Sequence, residues 1–239
     1  MILALTLFLA AASPASAADL LVAAASDLAT SERALRDGFE AETGDRVRFA
    51  FHSSGMLARQ IEHGAPYDVY LSANEQYVND LVASGNLLGE TIVVYATGSL
   101  GLWSAAGPVS GIEVLLSEEF RHIAIANPAH APYGVAAREA LRRRELWEFL
   151  KPKVVFAENV RQTYQYGASG NADAIITSWT LVFDKGAKML PSEWHDPIRQ
   201  AGGVLKGSKE PEAARRFLRY LMSEAGLAVL TEHGLFPPK

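Results

Sequence analysis

Cysteine is absent from all 239 residues, so no disulfide, thiolate nucleophile or cysteine-held metal enters any account of this chain. Positive charge is also in short supply. Twenty-two Lys and Arg face 27 Asp and Glu, for a formal net charge of −5. That balance argues against a nucleic-acid surface and gives no long-range attraction for anions, so any anion must be held by local dipoles. Catalytic motifs are missing as well. There is no G-x-S-x-G, and Gly167-Ala168-Ser169-Gly170 misses the spacing. The stretch from Gly202 to Lys209 imitates a phosphate-binding loop, but Ser208 precedes Lys209 instead of following it. The six histidines are scattered without metal-ligand spacing. Two of them, His52 and His130, fall in loops of interest and read as exposed loop residues. The expectation is therefore no catalytic residue, no directly coordinated metal and no cofactor.

What is present is globular: 49% apolar and 21% charged residues, enough for one large α/β domain or two small ones. Met1 to Ala10 is a short apolar run, followed by Ala15-Ser16-Ala17-Ala18. An apolar run before a small-x-small site reads as a secretory signal, residues 1–18, cut after Ala17 or Ala18. It is too short to span a bilayer. The usual basic residue of such a segment is missing, and there is no lipobox cysteine for a lipid anchor. Export without disulfides fits a periplasm better than a harsh extracellular setting.

Along the chain, Leu20 to Ala25 reads as a buried strand ending at Ser26, and Leu28, Leu35 and Phe39 fall on one helical face closed by Gly44. Val47 to Phe51 alternates as a second strand. A helix opens at Ser54, with Leu57 and Ile61 four apart. Asp68 to Ser72 is a strand, and Asn74 caps a helix ended by Gly85. This βαβαβα order predicts a largely parallel sheet. Strands are expected at 92–96 and 100–103 around a Gly98-Ser99 turn, then at 122–126, 154–156 and 174–177. Helices are expected from Pro132-Tyr133-Gly134 and after the Asn159 cap. Beyond Lys185 the pattern is irregular until two C-terminal helices. Two α/β lobes follow as the expectation, one from residues 19–94 plus 187–239 and one from 95–186, with a single continuous sheet as the alternative. An internal echo supports two lobes. Ser54 to Ser72 and Asn159 to Thr177 each run helix start, Gly-x-x-x-Asp or Gly-x-x-Asp, then strand end.

The positive signal is a set of helix starts at Ser26, Ser54, Tyr133 and Val160. In a parallel α/β unit these lie at the C-terminal ends of strands, where ligands bind. First-turn N–H groups lack intrahelical partners and carry the positive end of the helix dipole. Four such ends could hold a dianion without a single Arg or Lys. Ser26 and Ser54 add hydroxyls; Tyr133 and Val160 are expected to offer main-chain N–H. A donor-only site selects a fully deprotonated oxyanion. Asp27 is a candidate acceptor for a protonated one, although its position reads more simply as support for the first helical turn from outside.

Five motifs in order resemble one family. They are Ala23-Ala24-Ala25-Ser26; Ser53-Ser54-Gly55-Met56-Leu57-Ala58-Arg59-Gln60-Ile61; Gly64-Ala65-Pro66-Tyr67-Asp68-Val69; Asn127-Pro128-Ala129-His130-Ala131-Pro132-Tyr133-Gly134; and Glu158-Asn159-Val160-Arg161-Gln162-Thr163. Together, over almost the whole chain past residue 18, they resemble the periplasmic molybdate-binding proteins of ABC transporters. The resemblance implies the two-lobe type II periplasmic binding-protein fold. It implies molybdate or tungstate held between the lobes, an ABC permease as partner, and a monomeric, periplasmic receptor that is not an enzyme. It makes Ser26 and Ser54 ligands of the first lobe and Tyr133 and Val160 main-chain ligands of the second, with Ala25, Ser53 and Thr177 as further candidates. Some members offer a Tyr hydroxyl where this chain has the shorter Thr177. The alternatives are a receptor for another oxyanion or a small carboxylate on the same fold, and a hydrolase using Ser54 or Ser26 with His52 or His130.

Overall fold

The computed structural model describes residues 17–238; the reading of a signal segment falls almost entirely outside them. The chain opens with β1 (Asp19–Ala25), a 3-10 turn over Ser26–Thr30 and α1 (Glu32–Thr43), then β2 (Arg46–His52), α2 (Ser54–Glu62), β3 (Val69–Ser72) and α3 (Glu75–Ala83). Next come β4 (Val93–Gly98), β5 (Leu100–Trp103), β6 (Ile123–Ala126), α4 (Pro132–Arg143), α5 (Trp147–Leu150), β7 (Val154–Ala157), α6 (Val160–Ala168) and β8 (Ala174–Ser178). The last part holds β9 (Lys188–Met189), β10 (Ile198–Val204), α7 (Pro211–Leu221) and α8 (Glu224–Glu232).

These strands form two five-stranded sheets, ordered β2-β1-β3-β10-β4 and β7-β6-β8-β5-β9. In the first, β1 pairs in parallel with β2 and β3, and β10 runs antiparallel to both β3 and β4. In the second, β6 pairs in parallel with β7 and β8, and β5 runs antiparallel to β8 and β9. A continuous sheet is thereby excluded among the described residues. Both sheets repeat one scheme: three parallel strands, with the earliest of the three in sequence in the middle, then an antiparallel neighbour.

Burial explains the local choices. β1, β3, β6 and β8 are covered on both faces, so their sequences are continuous apolar runs rather than alternating ones. α1 presents Leu35 and Phe39 inward, and α7 presents Phe217, Leu218 and Leu221. Phe39 meets Phe217 edge-on, with ring centres 5.2 Å apart. Fully burying each such side chain contributes about 1.5–3 kcal/mol. The Asn74 and Asn159 side chains accept from the N–H groups of Gln76 and Gln162, as N-caps do.

Three expectations need correction. The segment at 198–204, read as irregular, is the strand that joins β3 to β4. Its Gly202 and Gly203 are there because added Cβ atoms would meet Leu71 and Ile92 at 2.5 Å. The strands flanking Gly98-Ser99 are not partners; the chain leaves the first sheet after Gly98 and enters the second at Leu100. Strand pairing thus changes sheet at residue 99, not at 94, and β9 keeps residues 188–189 in the second sheet. Finally, Ser26 opens a five-residue 3-10 turn and not an α-helix, which begins only at Glu32.

Candidate functional site

A small cavity, about 10 Å³ of room for water centres, lies where the C-terminal ends of β1, β2 and β3 face the starts of α4 and α6. Its lining includes Ala25, Ser26, Ser53 and Ser54 from one side and Tyr133 and Val160 from the other. The four residues singled out from sequence, three at α-helix starts and Ser26 at a 3-10 turn, are therefore gathered around one space. Larger surface hollows exist elsewhere, but they lie away from any such convergence of N–H groups.

Ser54 is N1 of α2 and is 1% exposed. Its Oγ accepts from the Ala73 N–H at 3.0 Å, which leaves the hydroxyl proton free for another acceptor. Ser26 differs: its hydroxyl donates to the His52 carbonyl at 3.2 Å, so its proton is engaged inside the protein. Ser53 is engaged too, its Oγ lying 2.8 Å from His130 Nδ1. The arrangement fits a neutral His130 whose Nδ1 accepts from Ser53 and whose Nε2–H faces Glu158 at 3.7 Å. Burial holds the His130 pKa below its ordinary value; Glu158 opposes this, and His52 and Arg59 add to it.

Tyr133 is N2 of α4, behind Pro132, and Val160 is N1 of α6. Both sit in first turns, where main-chain N–H groups have no intrahelical acceptor. The Asn159 side chain takes the Gln162 N–H and leaves that of Val160 uncapped by it. The Tyr133 side chain turns away from solvent into a buried cluster. Its hydroxyl donates to Asp27 Oδ2 at 2.9 Å, the Gln200 amide donates to the same oxygen at 2.5 Å, and Thr180 Oγ1 donates to the Asp27 carbonyl at 2.8 Å. Gly98 makes room for that ring, since a Cβ there would meet the Tyr133 hydroxyl at 2.2 Å.

Contacts across the cavity are direct. The Gly55 N–H donates to the His130 carbonyl at 2.9 Å, and a Cβ at Gly55 would lie 2.8 Å from that oxygen. The Arg161 guanidinium stands over the Phe51 ring, 5.8 Å from its centre.

Sequence reasoning erred or fell short at several residues. Asp27 does not support a helical turn from outside; it is 1% exposed and hydrogen-bonded across the cavity. His130 is not an exposed loop residue but 8% exposed, because Ser53 and α2 pack on it. Thr177 does not line the cavity. It is fully buried, and its hydroxyl donates to the Val160 carbonyl at 3.1 Å, which fixes the first turn of α6 from behind. Gln200 has no counterpart among the residues expected from sequence, and Thr180, in the unusual stretch Ser178-Trp179-Thr180, gives no sign there of its bond to Asp27. Gln200 sits on the unrecognised β10, and nothing local in either sequence context marks a contact more than 150 residues away.

The chain is similar to known proteins over nearly its whole length. The family described as bacterial extracellular solute-binding protein matches residues 20–236. The chain is 33% identical to the molybdate-binding protein ModA of Rhodobacter capsulatus over 235 residues, covering 97% of this chain and 93% of that one. It is 32% identical to the ModA of Azotobacter vinelandii, covering 92% and 90%. The solved periplasmic molybdate-binding protein of Azotobacter vinelandii superimposes with a TM-score of 0.87 at 31% identity, over 92% of this chain and all of that one. The mycobacterial sulfate-binding protein SubI shares the fold, with a TM-score of 0.75 at 14% identity.

Proposed function

The chain belongs to the bacterial extracellular solute-binding proteins, of type II periplasmic binding-protein fold, and from that premise we propose that it captures molybdate or tungstate and delivers the oxyanion to an ABC permease. The observation that carries the reading is the meeting of Ser26, Ser54, Tyr133 and Val160 around one small cavity. In this reading the two sheets are the cores of two lobes that divide at residue 99 and between Met189 and Ile198, and the crossings there are the hinge. The protein acts as a monomer in the periplasm, and residues 1–18 are its export signal.

Binding then works as follows. The ligand enters between the lobes. Free N–H groups of the first turns at Ser54, Tyr133 and Val160 and the free Ser54 proton donate to its oxygens. Each charge-assisted hydrogen bond contributes about 1.5–3 kcal/mol, and each helix end adds about 0.3–1 kcal/mol of field. No cation is needed, which matters in a chain of net charge −5. Cross-cavity contacts such as Gly55 to His130 form only when the lobes meet, so ligand selects the closed form. Sulfate has the same charge and shape as molybdate, so rejection of it rests on cavity size. Ser26 contributes through its main-chain position, because its hydroxyl is already spent on His52.

The test is calorimetry and thermal melting with molybdate, tungstate, sulfate and phosphate. Stabilisation by micromolar molybdate or tungstate, with little response to the other two, is expected. Preference for phosphate or a small carboxylate would move the protein to another ligand on the same fold.

A further inference from the structure

The two oxygens of the Asp27 carboxyl have different surroundings. Oδ2 accepts from Tyr133 and Gln200, whereas Oδ1 is buried with no hydrogen-bond partner among the described residues. The residue lines the same cavity as the helix starts. Every group assigned above to the oxyanion is a donor, so an ionised carboxylate in that lining would face a dianion across a few ångströms of water-excluded space. Like charges that close disfavour ionisation of one of them. The influences on this carboxyl are its burial, which raises its pKa, and, opposing it, the hydrogen bonds from the neutral donors Gln200 and Tyr133 and the dipoles of the nearby Asp27 and Leu28 N–H groups.

We propose that Asp27 is a further recognition residue: in the closed, liganded site it is a neutral carboxylic acid that donates Oδ1–H to the oxyanion, so that capture of one molybdate takes up one proton. This rests on the functional reading above. The proton comes from solvent and ends on Oδ1; no bond within the ligand is made or broken. Oδ2 keeps its two donors, so the acid proton belongs on the unpartnered Oδ1.

The neighbours that titrate or carry charge are few. Tyr133 on α4 and Tyr95 on β4 belong to the cluster, and burial pushes both hydroxyls to higher pKa, so they stay neutral. His52 on β2 lines the cavity. Arg161 on α6 is stacked on Phe51. Arg199 on β10, next to Gln200, pairs with Glu75 at 2.9 Å, and at the start of α1 Arg36 pairs with Glu32 at 3.5 Å. The turn after β8 contributes Thr180, which does not titrate. His130, across the cavity, is neutral above its ordinary value of 6.5, because its pKa is lowered.

Titration calorimetry with sodium molybdate from about pH 7 to about pH 8.5, in pairs of buffers with different ionisation enthalpies, counts the protons. Uptake approaching one proton per molybdate is expected near pH 7, with affinity falling as pH rises, by at most about tenfold per unit. In Asp27→Asn the amide N–H takes the place of the acid proton, and the side-chain carbonyl still accepts from Tyr133 and Gln200. That variant is expected to bind molybdate without proton uptake and with a flat pH profile. Wild-type binding without uptake at any pH in this range overturns the proposal, as does uptake that survives in Asp27→Asn. Tighter binding of hydrogen phosphate than molybdate, lost in Asp27→Asn, would make the residue an acceptor and overturn it too. The wild-type proton count needs no variant, so a misfolded Asp27→Asn leaves the test standing. Absence of any molybdate binding removes the functional reading itself and this inference with it, whereas binding without proton uptake removes the inference alone.

Discussion

The two walls of the cavity are built on the same strand order but by different chemistry. The wall after β1, β2 and β3 is rich in side-chain function: Ser26, Asp27, Ser53 and Ser54 all carry polar groups there, and all four are already hydrogen-bonded within the protein, Ser54 only as an acceptor. The wall at α4 and α6 presents Ala131, Pro132, Tyr133 and Val160, whose side chains pack or turn away and leave main-chain N–H groups to act. A repeated fold places helix starts at equivalent points and so repeats the dipoles. It does not repeat the side chains. One wall can therefore be tuned by substitution, while the other depends on backbone position.

The largest expected effect attacks the approach of the walls. Gly55→Val sets a branched side chain against the His130 carbonyl and the Tyr77 hydroxyl, and molybdate affinity should fall by about 3 kcal/mol, read by calorimetry. Retained affinity would show that the walls need not meet. Ser54→Ala removes the free hydroxyl proton of the first wall and should weaken binding by about 1–3 kcal/mol. It also strips the Ala73 N–H of its acceptor, so a parallel melting curve separates binding from stability. Tyr133→Phe keeps the main-chain donor of the second wall and removes the hydroxyl that donates to Asp27 and accepts from Gln200. A loss of about 0.5–1.5 kcal/mol in affinity is expected, smaller than for Ser54→Ala if the comparison holds. Val160→Ala removes no hydrogen-bonding group, and affinity should change by about twofold or less; a large loss would break the contrast between the walls.

Acid should also weaken binding, through His130. Its pKa is lowered in the closed arrangement, so that arrangement binds fewer protons than one in which the ring is free. Its contribution is complete above the ordinary value of 6.5 and is lost as pH falls through the lowered value. The ring sits near solvent-screened Glu158, so the effect should be modest. Affinity measured below about pH 6 in wild type and in His130→Gln checks it: the variant should lose the acid-side fall.

Much of the first wall was legible because its signals are local. Ser54 precedes a helical period, Asn74 and Asn159 stand at cap positions, and apolar runs such as Ala174-Ile175-Ile176 announce strands covered on both faces. β10 was not legible, since Pro197 before it and Gly202-Gly203 within it read as loop. Those glycines answer to Leu71 on β3 and Ile92 just before β4, more than 100 residues earlier, and no local pattern encodes that. Asp27 was misplaced for the same reason. Beside a serine at a turn it reads as a capping residue, and only packing against Tyr133 and Gln200 makes it a buried acid.

The sequence by itself determined where N–H groups would be left over, because helix starts are set by short-range stereochemistry and capping. It also excluded thiol chemistry outright. Only the tertiary structure decided which hydroxyl protons are free, that Thr177 supports Val160 from behind the cavity, and that a carboxyl without a cation lies in the lining. The physical reason is range: a helix end is a property of a few adjacent residues, whereas hydrogen-bond partners and burial depend on which distant segments the two sheets bring together.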